Sequence, residues 1–152
     1  MQKLHWSIWI NATKAHVWDV MLGNTTYREW TKAFNEGSYF QGAWEQGSEI
    51  RFLGPNPNGS GEGGMFSRIH ENRMHEFLSI EHLGIIQNGV VDTTSDEVKK
   101  WTPAFENYTF DEKDGGTELK IDLDVADEYK DMFNDMWPKA LQLLKQLAEK
   151  AA

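Results

Sequence analysis

The stretch DEYKDMFNDMWPKALQLLKQLAEK, from Asp127 to Lys150, constrains the fold more than any other part of the chain. Tyr129, Met132, Phe133, Met136, Trp137, Ala140, Leu143, Leu144 and Leu147 recur at helical spacing and build one broad apolar stripe, with Asp127 placed to cap its start. A helix of that length must bury its stripe, so a large apolar partner has to exist elsewhere in the sequence. Pro138 lies inside the stretch, removes one backbone hydrogen bond and crowds the carbonyl of Asn134, which predicts a kink or break near Trp137.

The only partner large enough is a sheet. In KLHWSIWI, Leu4, Trp6, Ile8 and Ile10 alternate with Lys3, His5, Ser7 and Trp9, the period of a half-buried strand. NATKAHVWDVMLG then reads as a helix opened by Asn11 or Thr13 and stopped by Gly23, and TTYREWTKAF as a second short helix with Tyr27, Trp30 and Phe34 on one face. From Ser38 to Val125 the punctuation is that of hairpins: SYFQGAW, SEIRFL, MFSRIHE, MHEFLSIEHL, AFENYTF and TELKIDLDV, separated by Gly, Asn and Asp turns. A short helix over 95–101, boxed by Thr94 and Glu97, interrupts the meander. The class is therefore α+β, one domain over 1–152: a curved antiparallel sheet of six to seven strands, two short helices after the first strand, and the long helix in the sheet's grip. Where facing side chains do not interdigitate, that arrangement leaves a pocket.

Composition excludes several functions. The net charge is -9, and residues 106–135 hold eleven acids against three lysines, a field that repels phosphate backbones and anionic headgroups. Nucleic acid is excluded as a partner, and no apolar run is long enough for membrane insertion. The N-terminus alternates rather than forming a continuous apolar run, so no secretory signal is read there and a cytoplasmic location is expected. Without cysteine, thiolate catalysis and thiolate metal sites are absent.

The element order and several local patterns resemble the START-like or SRPBCC superfamily, with its helix-grip fold. Within it the chain is similar to the family of activator of heat-shock protein 90 ATPase homologues. The patterns are SIWINATKAHVWDVM, YREW, GAWEQGSEIRF, GGMFSRIHENRMHEFLSIEH and FNDMWPKALQLLKQL, together spanning Lys3 to Leu147. Two departures stand out: Asn72 in a turn where members often carry Pro, and a long 85–103 segment. The resemblance implies a cavity between sheet and last helix that in many relatives takes up a hydrophobic small molecule, with roles ranging from binding to cyclase-like catalysis to chaperone assistance.

Motifs of chemistry are sparse. Gly59, Gly61 and Gly64 in GPNPNGSGEGG match G-x-G-x-x-G, yet MFSRIHENR follows without helical periodicity, so no helix end is available to hold a pyrophosphate. The stretch reads as a flexible hairpin loop at the cavity rim. His70 and His75 are five apart on a hairpin and cannot converge on one metal, and the remaining histidines lie on different elements, so neither a metal nor a cofactor is expected. Glu81, His82, Glu106 and Tyr108 would form an acid/base set if they reached the pocket. In AFENYTF, however, the Glu106, Tyr108, Phe110 face and the Phe105, Asn107, Thr109 face are about equally apolar.

Seven Trp, eight Phe, four Tyr and six Met are many large, adaptable side chains for one small core. By the resemblance, Trp30, Trp44, Phe52, Met65, Tyr108, Phe133, Met136 and Trp137 border the pocket, with Arg51 or His82 as polar groups that would orient a ligand. The expected function is a non-catalytic domain, monomeric or weakly dimeric, that binds a small hydrophobic molecule. A co-chaperone-like interaction module using the acidic face is the first alternative, and a cyclase- or hydratase-type enzyme using the same pocket is the second.

Overall fold

The computed structural model describes residues 1–150. Strand β1 (Gln2–Ile10) leads into helices α1 (Lys14–Leu22) and α2 (Asn24–Trp30), the latter extended by a 3-10 turn over Thr31–Ala33. There follow β2 (Tyr39–Gly42), β3 (Glu49–Pro55), β4 (Glu62–Arg73), β5 (Phe77–Gln87), β6 (Val90–Asp92), α3 (Asp96–Lys99), β7 (Ala104–Lys113), β8 (Gly116–Val125) and α4 (Lys130–Lys150). All eight strands belong to one antiparallel sheet of order β1-β8-β7-β5-β4-β3-β2, with β6 paired to β5.

Local chemistry explains the boundaries. Thr13, not Asn11, caps α1 by accepting from the His16 amide at 3.2 Å, and Gly23 closes it. α3 is shorter than 95–101 and is capped by Ser95 rather than Thr94. The reason is Asp92, whose carboxylate accepts from the amides of both Thr94 and Ser95 and sets the chain entering the helix.

α4 runs unbroken through Pro138, so of the kink or break expected near Trp137 the break does not occur. The lost hydrogen bond is offset by packing, because Trp137, Ala140, Leu141, Leu144 and Ala148 are all buried against the sheet and the first two helices. The core continues through Ile10, Val17, Met21, Ile69, Leu78, Phe110, Leu119 and Ile121. At the outer edge of β1 the far end of α4 contributes two polar contacts: Lys145 Nζ donates to the Trp9 carbonyl and the Asn11 amide donates to Glu149, each at 2.8 Å.

The register settles which way β7 faces. Glu106 pairs with Ile80 and Leu123, Tyr108 with Leu78 and Ile121, so Glu106, Tyr108 and Phe110 share the concave face with the core residues of β5 and β8. Phe105 turns to the convex face, where its ring meets His70 at 5.3 Å.

Two glycines of the 54–64 segment have steric reasons to be glycine. A Cβ on Gly64 would stand 1.8 Å from the Phe52 carbonyl oxygen across the β3–β4 ladder, and Gly61 combines a φ of +85° with a Cβ position 2.0 Å from Asn88. The fingerprint spacing is thus the by-product of a close strand approach and a turn.

Candidate functional site

Between the concave face of the sheet and the first half of α4 lies a cavity of about 710 Å³. Its walls are built from three sources. α4 supplies Met132, Phe133, Met136 and Trp137; the short helices supply Met21, Tyr27, Trp30 and Phe34; the sheet supplies Phe52, Met65, Leu78, Ile80 and Leu123. Large aromatic side chains beside the space rest on one another in stacked, tilted and edge-on pairs. Trp137 stacks on Trp6 at 5.4 Å and meets the ring of Phe34 at 5.0 Å, while Tyr27 stands 6.2 Å from Phe52.

All eight apolar residues singled out in the sequence border this space: Trp30, Trp44, Phe52, Met65, Tyr108, Phe133, Met136 and Trp137. His82 joins them, but Arg51 does not. Side chains alternate along β3, so placing Phe52 inward turns Arg51 to the convex face, where its guanidinium sits 5.8 Å from the Phe66 ring. Glu81 is likewise turned out and pairs with Arg68 at 2.6 Å.

One polar cluster interrupts the apolar wall, assembled from three neighbouring strands. A bulge between Phe66 and Ser67 shifts the β4–β5 register so that Ser67 faces His82, and β7 adds Glu106 and Tyr108. The Ser67 hydroxyl lies 2.7 Å from His82 Nδ1, His82 Nε2 lies 3.0 Å from a Glu106 carboxylate oxygen, and the Tyr108 hydroxyl donates to the other oxygen. Ser67 is fully enclosed behind the wall, whereas His82, Glu106 and Tyr108 reach the cavity. The chain resembles a hydrolase triad in residue type alone, because the serine is sealed off from any substrate.

Burial, with the Glu106 charge adding to it, pushes the Tyr108 hydroxyl well above the ordinary tyrosine value of 10.0. Burial foremost and Glu106 next do the same to Tyr27, against a smaller opposing effect of the Ser38 hydroxyl. Both phenols therefore stay neutral in the physiological range. Trp30 and Trp44 spend their indole N–H groups on the carbonyls of Met21 and Leu22, while the N–H of Trp137 is enclosed and has no partner.

The opening is bordered by Met1, Ile85, Tyr129 and Met132, all of them substantially exposed large apolar side chains. Pro57, from the hairpin loop between β3 and β4, also reaches the cavity. Sequence reasoning did not single out Tyr27, Ser38 or the Ser67 hydroxyl. Tyr27 was legible as a core residue of its helix, but nothing in the sequence set its hydroxyl apart, and Ser67 is positioned by a bulge that leaves no sequence mark.

A curved antiparallel sheet gripping a long C-terminal helix around an apolar cavity is a helix-grip fold. Solved structures agree on this architecture. The Aha1 dimer from Colwellia psychrerythraea matches with a TM-score of 0.71 at 14% identity, over 98% of this chain and 97% of that one. A protein from Nitrosomonas europaea matches at 0.74 and 11% identity, over 98% and 95% of the two chains. DynU16, a protein of the dynemicin biosynthetic locus, matches at 0.68 and 10% identity, over 99% of this chain and 48% of its own. At such identities the likeness establishes the fold alone. No protein-family model matches the chain, and no curated protein matches it in sequence. No helix among the described residues is long and apolar enough to cross a membrane.

Proposed function

We propose that this protein binds a small hydrophobic molecule in the cavity between the sheet and α4, and that it belongs to the family of activator of heat-shock protein 90 ATPase homologues. The observation that carries the binding reading is the cavity itself: about 710 Å³ of space walled by aromatic and Met side chains, with one polar cluster on its floor. That volume falls in the range of small-molecule sites, and a largely apolar wall with a few convergent polar groups is their usual chemistry. The family reading rests on the quoted sequence patterns together with the shared fold.

Trp30, Trp44 and Trp137 at the wall make the test direct. Titration with apolar alkyl and aryl compounds should change the intrinsic fluorescence and raise the melting temperature, by the equivalent of roughly 2.7 kcal/mol at a hundredfold excess over the dissociation constant. Unchanged fluorescence and melting across the panel would refute the reading. Met136→Trp, which fills the cavity from the helix side, should abolish the response while leaving the fold intact.

A second reading, proton-transfer catalysis, draws on a specific arrangement. Two titratable groups, His82 and Glu106, share a hydrogen bond at 3.0 Å within an apolar enclosure, the setting in which a side chain acts as general base or acid. Turnover of a carbon acid that ceases in both Glu106→Gln and His82→Gln would favour it over simple binding.

A further inference from the structure

Resting on the reading of this cavity as a ligand site, we propose that its ligands are cationic: apolar molecules that end in a protonated amine, with the ammonium beside Glu106 and the hydrocarbon against the aromatic walls. Carboxylates and phosphates are rejected.

The charge inventory of the cavity is one-sided. Its lining includes the carboxylate of Glu106 and, among the described residues, no lysine or arginine. Asp124 also borders the cavity, but its carboxylate turns to the convex face, accepting from the Phe105 amide and pairing with Lys3 at 2.7 Å. Glu106 is different. A carboxylate offers about four acceptor positions, and here only His82 and Tyr108 occupy any. Its side chain retains 19% exposure, and because it stands on the concave face among cavity residues, that exposure is to the cavity.

Charged donors for an anion are missing from the same floor. Both ring nitrogens of His82 are occupied, one by Ser67 and one by Glu106, so even a protonated imidazole has no N–H to spare. The Tyr108 hydroxyl is spent on Glu106, and the indoles of Trp30 and Trp44 donate to backbone; the Tyr27 and Ser38 hydroxyls that border the cavity carry no charge. The Trp137 N–H is sealed by its neighbours. An acid brought here would meet a carboxylate and find only uncharged hydroxyls to offset the loss of water.

The walls complete the case. Tyr108 and Trp137 stand 6.1 Å apart, and Phe52 lies 6.0 Å from the His82 ring, so the carboxylate is flanked by aromatic surfaces. Ring faces carry negative quadrupole density that attracts a cation, most strongly where water is excluded, and rings grouped about an acid form the usual receptor for alkylammonium groups. Outside, the stretch from Ala126 to Phe133 at the mouth carries Asp127, Glu128 and Asp131 against Lys130. The approach thus presents the same sign as the floor.

Decylamine, decanol and decanoate share one chain and differ only in the head group, so calorimetric titration of the three at neutral pH, below their micellar concentrations, isolates the proposal. Decylamine is expected to bind at least about tenfold tighter than decanol, the span of one charge-assisted hydrogen bond, and decanoate more weakly than decanol. Glu106→Gln should bring the amine-to-alcohol ratio close to one. Decanoate binding as well as decanol, or decylamine no better than decanol, overturns the cation preference while leaving the ligand site standing. Failure of all three to bind overturns the ligand site itself, and this proposal with it. Should circular dichroism show Glu106→Gln unfolded, the wild-type ratio alone decides.

Discussion

Glu106 is held from two sides by donors that come from the protein itself, and each can be removed singly. Tyr108→Phe deletes the hydroxyl that donates to Glu106 and leaves a buried carboxylate oxygen short of a partner. We expect a loss of about 1 to 3 kcal/mol in chemical denaturation, with the ring packing against Trp137 retained. The phenols also give a signature in alkali. Tyr27 and Tyr108 have folded pKa values raised above 10.0 by burial and by the Glu106 charge. Their contribution is whole below pH 10, because both states are then protonated. Above it the unfolded chain ionises first and stability falls as pH rises toward the folded values. Phenolate absorbance should accordingly show two of the four tyrosines titrating only together with unfolding, and ionisation of more than two in the native protein just above pH 10 would contradict the burial. Residue by residue, the sequence was informative about what is large and apolar and poor about direction. Phe52 inside implies Arg51 outside, a fact of strand alternation that follows only once one of the pair has been placed. In β7 both faces carry comparable apolar bulk, so Glu106 could be oriented only by the register with β5 and β8.

At the scale of elements, α4 tolerates a proline that its sequence says should interrupt it. The helix is continuous because the residues after Pro138 are anchored in the core, so the cost of the missing hydrogen bond is borne rather than relieved. Pro138→Ala should stabilise the protein, by up to about 3 kcal/mol from intrinsic helix preference, seen as a raised denaturation midpoint. The β3–β4 hairpin offers the converse case. Gly64→Ala sets a methyl group against the Phe52 carbonyl and should cost at least roughly 1 to 3 kcal/mol through backbone displacement. Replacing residues 57–60 by a shorter turn should leave stability within about 0.5 kcal/mol, since the tip is exposed. Because Pro57 touches the cavity, that loop variant should alter the rate at which a bound molecule leaves, read by stopped-flow fluorescence. The strand succession was legible because hairpin turns and period-two patterns leave local marks. The cap of α3 was misread by one residue because Asp92, outside the helix, supplies the acceptor that fixes the chain entering it.

For the whole molecule, the sequence disclosed an architecture because a long amphipathic helix and a sheet of matching size can satisfy one another in few ways. It disclosed less about the site, which arises from a bulge, a register and a diagonal between strands, none of which has a composition. An open sheet has two edges, and β1, with nine residues, is the longer of them here. An uncovered edge strand is a template on which a second chain can pair its backbone and begin an aggregate. Lys145 and Glu149 reach from α4 onto the carbonyl of Trp9 and the amide of Asn11, so the helix that shapes the cavity also shields part of that edge against polymerisation. Exchanging both for alanine should shift the melting temperature little and yet hasten the growth of light-scattering particles on incubation at high protein concentration. The colloidal lifetime of the protein would then depend on two surface side chains far along the chain from the strand they guard.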